Sequence, residues 1–151
     1  MSDPRSFEEI DVGERAEFGA YEVTESEILE YAERYDPQPF HTDPAHAAES
    51  AAFFDEVIAP GWLVASISQR LLVEHYTPTM RNIAAKGADD LRWRAPVTAG
   101  DVLTCRVEVV DKEAHREDRG RVDLRIELYD GDDELVFGFV GLVIVERSAS
   151  A

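Results

Sequence analysis

A helix whose first three turns are apolar on nearly every side, followed by four segments with the patterns of strands, constrains the fold of this chain most. The helix is predicted over Trp62–Tyr76, whose first three turns are apolar on nearly every side, and a helix of that kind is buried rather than half exposed. Three later segments alternate with the period of two that is typical of strands, most cleanly in residues 122–128, and residues 135–145 form a more continuously apolar strand pattern. One buried helix and several long antiparallel strands predict an α+β fold in which a bent sheet wraps around the helix.

The remaining elements are predicted from local signals. Thr24 and Glu27 form the pattern of a capping box and start a helix that must end near Tyr35, because prolines follow it. Asp43-Pro44 starts a short helix that is expected to reach about Ala52. Strands are predicted at residues 16–23, 91–95, 102–110, 122–128 and 135–145. We expect one domain over residues 1–151, with its core at about 10–147 and with the first seven and last five residues held loosely.

The charge balance of the chain is strongly acidic. There are 32 Asp and Glu residues against 15 Lys and Arg, a formal net charge of −17, and only Lys86 and Lys112 are lysines. Such a surface repels nucleic acid and anionic lipid, whose binding requires clustered cations, so neither is expected as a partner. Two interpretations compete: an ordinary acidic protein, and a protein of a halophilic archaeon whose carboxylates are screened by high salt. The scarcity of lysine favours the second.

Composition also bears on the compartment. No stretch reaches the roughly 18 to 20 apolar residues of a membrane span, and Met1–Arg5 lacks the basic and then apolar run of a signal peptide. The single cysteine, Cys105, has no partner for an internal disulfide and is expected to be a small buried residue in a strand. We therefore expect a cytoplasmic protein with no membrane partner.

The segment from Asp36 to His41 carries the most distinctive chemistry, with prolines at positions 37 and 39. Histidine can act as acid or base near neutral pH. A water held between a histidine and a carboxylate can lose one proton while another is delivered, as hydration of a double bond requires. The prolines stiffen the segment, which lowers the entropy cost of placing the two groups. The alternative is structural: Asp36 caps a turn, His41 packs in a loop, and Asp43 caps the next helix.

Residues 36–44 resemble the hydratase motif of the MaoC-like family of hot-dog-fold enzymes, which includes R-specific enoyl-CoA hydratases. In that motif an Asp is followed by an Asn-Pro pair, an aliphatic residue, a His, and an Asp-Pro or Asn-Pro pair. Asp36 and His41 stand at the matching positions, as do the prolines at 39 and 44. The departures are Gln38 in place of Asn, Phe40 in place of an aliphatic residue, and Tyr35 where glycine often precedes the Asp.

The resemblance continues through residues 59–63, 94–97 and 100–101, and therefore spans roughly residues 10 to 147. It implies a single hot-dog domain with a long central helix, Asp36 and His41 as the catalytic pair, and an assembly of at least a homodimer. Pairing of subunits also suits a sheet whose edge strand is otherwise unprotected.

A further catalytic group is predicted at the start of the central helix. A thioester carbonyl gains negative charge as water is added, and a backbone amide at a helix N-terminus can stabilise that charge. Gly61 suits this role because it lets a ligand approach the backbone closely; the alternative is that Pro60-Gly61 is simply a helix entry. The resemblance favours Gly61 as the oxyanion donor. The residues around these groups are predicted to bind substrate: Gln38, Phe40, Pro60 and Trp62.

The resemblance implies addition of water to a 2-enoyl-CoA thioester, or its removal from an (R)-3-hydroxyacyl-CoA thioester. Coenzyme A is then part of the substrate, and no separate cofactor is expected. Two other functions stay open: a hot-dog acyl-CoA thioesterase, in which a carboxylate directs water to the carbonyl, and a non-catalytic acyl-CoA-binding module.

Two further groups of residues are candidate binding sites. The four histidines lack the spacing of metal ligands, so no metal site is predicted. Arg92, Arg94 and Lys86 are rare cations that could receive coenzyme A phosphates, although solvated ion pairing is the preferred interpretation.

Overall fold

The computed structural model describes residues 3–49 and 56–148. Its helices and strands follow one another as β1 (Arg15–Glu22), α1 (Glu25–Tyr35), α2 (Pro39–Thr42), α3 (Pro44–Glu49), α4 (Gly61–His75), β2 (Asn82–Trp93), β3 (Val102–Ala114), β4 (Arg119–Tyr129) and β5 (Leu135–Glu146). The predicted end of α3 near Ala52 lies outside the described residues. None of the helices in the described part of the chain is both long and apolar enough to cross a membrane.

The five strands form one antiparallel sheet in the order β1-β3-β4-β5-β2. Alternate residues of β3 and β4 are buried on the face that α4 covers, as their sequence pattern predicted. Cys105 belongs to this face and is fully buried, and burial raises the pKa of its thiol to about 12. The predicted α+β arrangement, a sheet around a long central helix, is confirmed.

Helix α4 is not buried all round, which corrects the prediction from its composition. Leu63, Ile67 and Leu71 point into the core, but 59% of Trp62 and 49% of Val73 are exposed. Trp62, Ser66, Gln69 and Val73 recur at helical spacing on one open face. The sheet covers only one side of the helix, so within one subunit the other side faces solvent.

The start of the chain is held more firmly than predicted. Arg5 donates two hydrogen bonds of 2.8 Å to the carboxylate of Glu14, and Tyr76 donates a third of 2.7 Å from its hydroxyl. Phe7 is buried against the core. The expectation of seven loose residues is therefore wrong from Arg5 onward, because Arg5 and Glu14 tie this segment to the end of α4.

The capping box predicted at the start of α1 is only half formed. Thr24 accepts a hydrogen bond from the amide of Glu27 as expected, at 3.3 Å. The Glu27 carboxylate, however, accepts a hydrogen bond from the Tyr21 hydroxyl and not from the backbone amide of the helix start.

The edge strand β2 is longer than predicted. It begins at Asn82, although only residues 91–95 showed a strand pattern. Strands β1 and β2 each have one neighbour, so both edges of the sheet are open within a subunit.

Candidate active site

The chain turns back on itself between α1 and α2. Helix α1 ends at Tyr35, as predicted, because the prolines at 37 and 39 cannot continue it. Pro39 is the first residue of α2, where its restricted φ suits a helix start. The amide of His41 donates to the Gln38 carbonyl at 2.8 Å. This short turn returns the imidazole towards Asp36, five residues earlier in the chain.

His41 and Asp36 form a close pair with one end anchored. The Nε2 atom of His41 lies 3.3 Å from Oδ2 of Asp36, and its Nδ1 lies 2.6 Å from the carbonyl oxygen of Ile58. A carbonyl only accepts hydrogen bonds, so Nδ1 carries a proton and Nε2 is the atom directed at the carboxylate. His41 is 5% exposed, and burial between these two partners holds the ring in one orientation.

Gln38 and Phe40, predicted to bind substrate, contact Asp36 and His41 in the structure. The Gln38 side-chain amide donates to Oδ1 of Asp36 at 2.6 Å, so both carboxylate oxygens have a neighbour. The Phe40 ring meets the His41 ring edge-on, with 4.4 Å between ring centroids. Neither side chain is among those that line the adjoining pocket. A substrate-binding role for either residue stays a prediction.

A pocket of about 480 Å³ opens beside the pair. Asp36, His41, Gly61 and Trp62 line it, which brings four of the predicted site residues together, whereas Pro60 lies buried behind it as the residue that precedes α4. The other walls come from two segments, Ile58–Ala59 and Trp93–Val97, together with Val64. Sequence reasoning noted residues 94–97 only as part of the family resemblance and missed Trp93. The two wall segments come together only in the folded chain, where the Ala59 amide donates a hydrogen bond to the Val97 carbonyl.

The start of α4 offers a free amide to this pocket. Helix α4 begins at Gly61 with no side chain capping it, and within the described ranges no oxygen accepts from the Gly61 N–H. The helix dipole adds partial positive charge at this end. The space that the missing side chain of Gly61 leaves is filled by the Trp93 ring. A β-carbon at this position would lie 2.6 Å from that ring, and Nε1 of Trp93 donates a hydrogen bond to the Gly61 carbonyl at 2.7 Å.

The other titratable groups around the site are few. Burial raises the pKa of the Tyr31 phenol, and the charge of Asp36 contributes to the same shift, so Tyr31 stays protonated at neutral pH. In the part of the chain that is described, no three His, Cys, Asp or Glu side chains come together as metal ligands. Asp43 accepts from the amides of Ala45 and His46, both at 3.1 Å, and so caps α3 as predicted.

The expected ion pairs of Arg92, Arg94 and Lys86 are not formed. None of the three comes within 4 Å of a carboxylate oxygen of residues 3–49 or 56–148. Arg92 instead donates to the carbonyl of Leu91 at 3.0 Å. Arg94 lies on the wall of the pocket beside Asp36 and His41.

Comparison with known proteins places this geometry in a family. Residues 9–128 match the model of the MaoC like domain. The chain belongs to the MaoC-like family. Its five-stranded sheet and central helix are the hot-dog fold, as in the MaoC-like dehydratase from Rhodospirillum rubrum, which superposes with a TM-score of 0.86 at 30% identity and covers 96% of this chain and 99% of the other.

Two proteins of the curated set extend the comparison of this MaoC-like chain. The (R)-specific enoyl-CoA hydratase of Aeromonas caviae is 34% identical over 122 residues, 76% of this chain and 79% of the hydratase. A UPF0336 protein of Thermobifida fusca is 33% identical over 96 residues, which cover 60% of this chain and 62% of that protein. The first relationship makes hydratase chemistry the general kind of activity to test at the Asp36–His41 pocket.

Proposed function

We propose that this MaoC-like protein adds water to 2-enoyl-CoA thioesters, or removes it from (R)-3-hydroxyacyl-CoA thioesters, at the pocket beside Asp36 and His41. The observation that supports this most is the buried His41, with Nδ1 on the Ile58 carbonyl and Nε2 facing the Asp36 carboxylate. The pair faces a pocket that also contains the uncapped start of α4. An acid/base pair and an amide donor together meet the needs of this reaction.

In the proposed mechanism the Gly61 amide receives the thioester carbonyl. Hydration places negative charge on that oxygen as the enolate forms, and a preorganised N–H donor at a helix N-terminus stabilises the charge without reorganisation during the reaction. The acyl group then extends along the wall that Trp62 and Trp93 form.

Asp36 and His41 handle the two protons. Oδ2 and Nε2 lie 3.3 Å apart and both contact one water on their pocket side, and the pair takes one proton as the water oxygen bonds to carbon 3. The pair delivers one proton to carbon 2, so the sum of the steps is one water across the double bond. Gln38 holds the other carboxylate oxygen and keeps Asp36 aligned during this exchange. Dehydration follows the same steps in reverse.

The test is a panel of 2-enoyl-CoA substrates of increasing chain length, assayed at high salt with wild type, Asp36→Asn and His41→Ala. We expect each variant to lose at least about a hundredfold in kcat, because acid/base groups contribute about 10² to 10⁴, while its circular dichroism spectrum shows that the fold stays intact. Asp43→Asn is the matched control, since Asn also caps helices. Near-wild-type turnover in Asp36→Asn or His41→Ala would refute the assignment.

The same assay separates the other two functions. A thioesterase would release free thiol from the acyl-CoA, which a thiol reagent detects, whereas a hydratase consumes the double bond and releases none. A binding module would bind acyl-CoA without either change. We propose that no separate cofactor takes part, so dialysis against EDTA is expected to leave the rate unchanged.

We further propose a cytoplasmic homodimer that works at high salt, as in a halophilic archaeon. The support for a dimer is that β2 is an open edge and is exposed along nearly its whole length, a condition that proteins normally avoid by covering the edge. Static light scattering at high salt is expected to give at least twice the 16.9 kDa chain mass. A monomer under those conditions would contradict the proposal.

A further inference from the structure

A second cavity, of about 170 Å³, lies next to the catalytic pocket and is rich in arginine. Arg92, Arg94 and Arg125 line it, together with the carboxylates of Asp90 and Glu127 and the segment 138–140 of β5. Three guanidinium groups against two carboxylates give this cavity a positive balance. In a chain with a net charge of −17, such a local excess of cations is unusual.

The three arginines differ from most others in the chain because they lack ion-pair partners. Eight of the thirteen arginines lie within 4 Å of a described carboxylate. Arg92, Arg94 and Arg125 are not among them, and all three are exposed. Glu127 is engaged elsewhere, as it accepts from the Tyr129 hydroxyl at 3.1 Å. The guanidinium groups are therefore available to an anion from solution.

Arg94 connects this cavity to the catalytic pocket, because it is among the residues that line both. Arg94 thus belongs both to the wall of the pocket that contains Asp36 and His41 and to the wall of the cavity with Arg92 and Arg125. A ligand could place its reacting group in the catalytic pocket and its charged groups in the arginine-rich cavity, because only Arg94 separates the two.

We propose that Arg92, Arg94 and Arg125 form a phosphate-binding site for the nucleotide end of the thioester carrier. This proposal rests on the proposed function and adds to it the residues that bind the phosphates of the carrier. Coenzyme A has a neutral pantetheine arm with all its phosphates at the far end, including a 3′-phosphate that the phosphopantetheine of a carrier protein lacks. Arginine binds phosphate oxygens through two parallel N–H groups, so a cavity lined by three arginines suits a multiply charged nucleotide.

A second group of cations provides a control on the same strand. Lys86, His115, Arg116 and Arg119 line a cavity of about 250 Å³. This cavity shares no lining residue with the catalytic pocket. The substitution Lys86→Gln removes one positive charge, as Arg→Gln does. Like Arg92 and Arg94, Lys86 has no ion-pair partner among the described residues. It is therefore the matched control for non-specific attraction.

The first experiment measures binding without chemistry. Isothermal titration calorimetry with adenosine 3′,5′-bisphosphate is carried out on wild type, Arg94→Gln, the double variant Arg92→Gln/Arg125→Gln, and Lys86→Gln. We expect the affinity to fall about tenfold for each arginine removed, as for one charged hydrogen bond, and to change less than twofold for Lys86→Gln. Equal affinity in the arginine variants, no binding to wild type, or a larger loss in Lys86→Gln would overturn the proposal.

The second experiment compares carriers. For each variant, kcat/KM is measured with crotonyl-CoA and with crotonyl-pantetheine, which has the same acyl group and no phosphate. The ratio of the two values is expected to fall about tenfold or more in the arginine variants and to stay at the wild-type value in Lys86→Gln. An unchanged ratio would overturn the phosphate site. Absence of hydration with intact bisphosphate binding would refute the proposed function while supporting the site.

Discussion

At Gly61 the indole of Trp93 occupies the space that a β-carbon would need. The nearest ring atom would lie 2.6 Å from that carbon, so Gly61→Ala must displace the ring, break its hydrogen bond to the Gly61 carbonyl, or shift the helix start. We expect this variant to lose at least about tenfold in kcat/KM, because a small misplacement of the proposed amide donor is costly. Steady-state kinetics measures the loss.

Gly131→Ala is the control for that change. A β-carbon at Gly131, in the turn before β5, meets no atom within 4 Å, so kinetics and melting temperature are expected to match wild type. If Gly61→Ala behaves like Gly131→Ala, close packing at the helix start has no part in function.

Glu14 lies at the centre of the cluster that holds the start of the chain. Its hydrogen bonds from Arg5, the largest cause, and from Tyr76 lower the pKa of its carboxyl to about 2. Glu14→Gln is expected to lower the free energy of unfolding at pH 7 by about 1.5 to 3 kcal/mol, as for hydrogen bonds to a charged group. Urea denaturation at pH 7 gives this difference.

The pH dependence of that loss has a definite sign. A carboxyl with a lowered pKa in the folded state contributes full stability above its ordinary pKa of 4.5 and loses it as the pH falls towards about 2. The gap between wild type and Glu14→Gln should therefore narrow below pH 4.5. Glu17→Gln, at an exposed carboxylate, should show little difference at any pH. A gap that stays constant to pH 3 would contradict the ionised cluster.

The connection between α1 and α2 sets the geometry of the Asp36–His41 pair. Gln38 is positioned there to donate to Asp36, and Gln38→Leu removes the donor while keeping similar bulk. We expect kcat to fall about tenfold with KM changed less, because one exposed hydrogen bond to a charged group is lost. The pH–rate profile should shift as well, which a purely structural role would not produce. Gln69→Leu, on the open face of α4, is the control.

Elements whose residues alternate were predicted well, and an element that pairs without alternation was not. Strands β3 and β4 alternate between buried and less buried residues, so their pattern appears in the sequence, and β5 is buried along most of its length, which suits its continuously apolar sequence. Strand β2 is exposed along most of its length and rich in alanine, with an irregular register near Asp90. Its pairing with β5 is set by tertiary contact and leaves no period in the sequence.

The site divides in the same way. Asp36 and His41 are close in sequence, so their rigid segment could be interpreted directly. The Ile58 carbonyl that orients His41 and the Trp93 ring that packs on Gly61 come from distant parts of the chain. No local spacing indicates such partners, which is why the composition of the pocket wall required the fold.

Across the whole molecule, the excess of acid is distributed over the surface and predicts a dependence on salt. With a net charge of −17, repulsion between carboxylates destabilises the folded chain, and salt near 1 M shortens the screening length to about 3 Å. We expect the melting temperature to rise from dilute buffer to molar KCl. A gain of about 2 kcal/mol corresponds to about 4 to 8 °C for a chain of this size.

Calorimetry at increasing KCl concentration measures this effect, with sucrose at matched osmolarity as the control for excluded solute. A melting temperature that is unchanged or falls with KCl would remove the support for adaptation to high salt. The same series shows whether the enzyme assays should be run in salt.

The chain has two tryptophans, and both lie on one wall of the pocket. Their rings meet nearly at right angles, 86° apart, with 5.0 Å between centroids. Indoles this close couple their electronic transitions, and a chiral pair of this kind produces a two-signed circular dichroism band in the ultraviolet. The molecule therefore contains an intrinsic optical reporter, whose amplitude should change when a ligand or a substitution reorients that one wall.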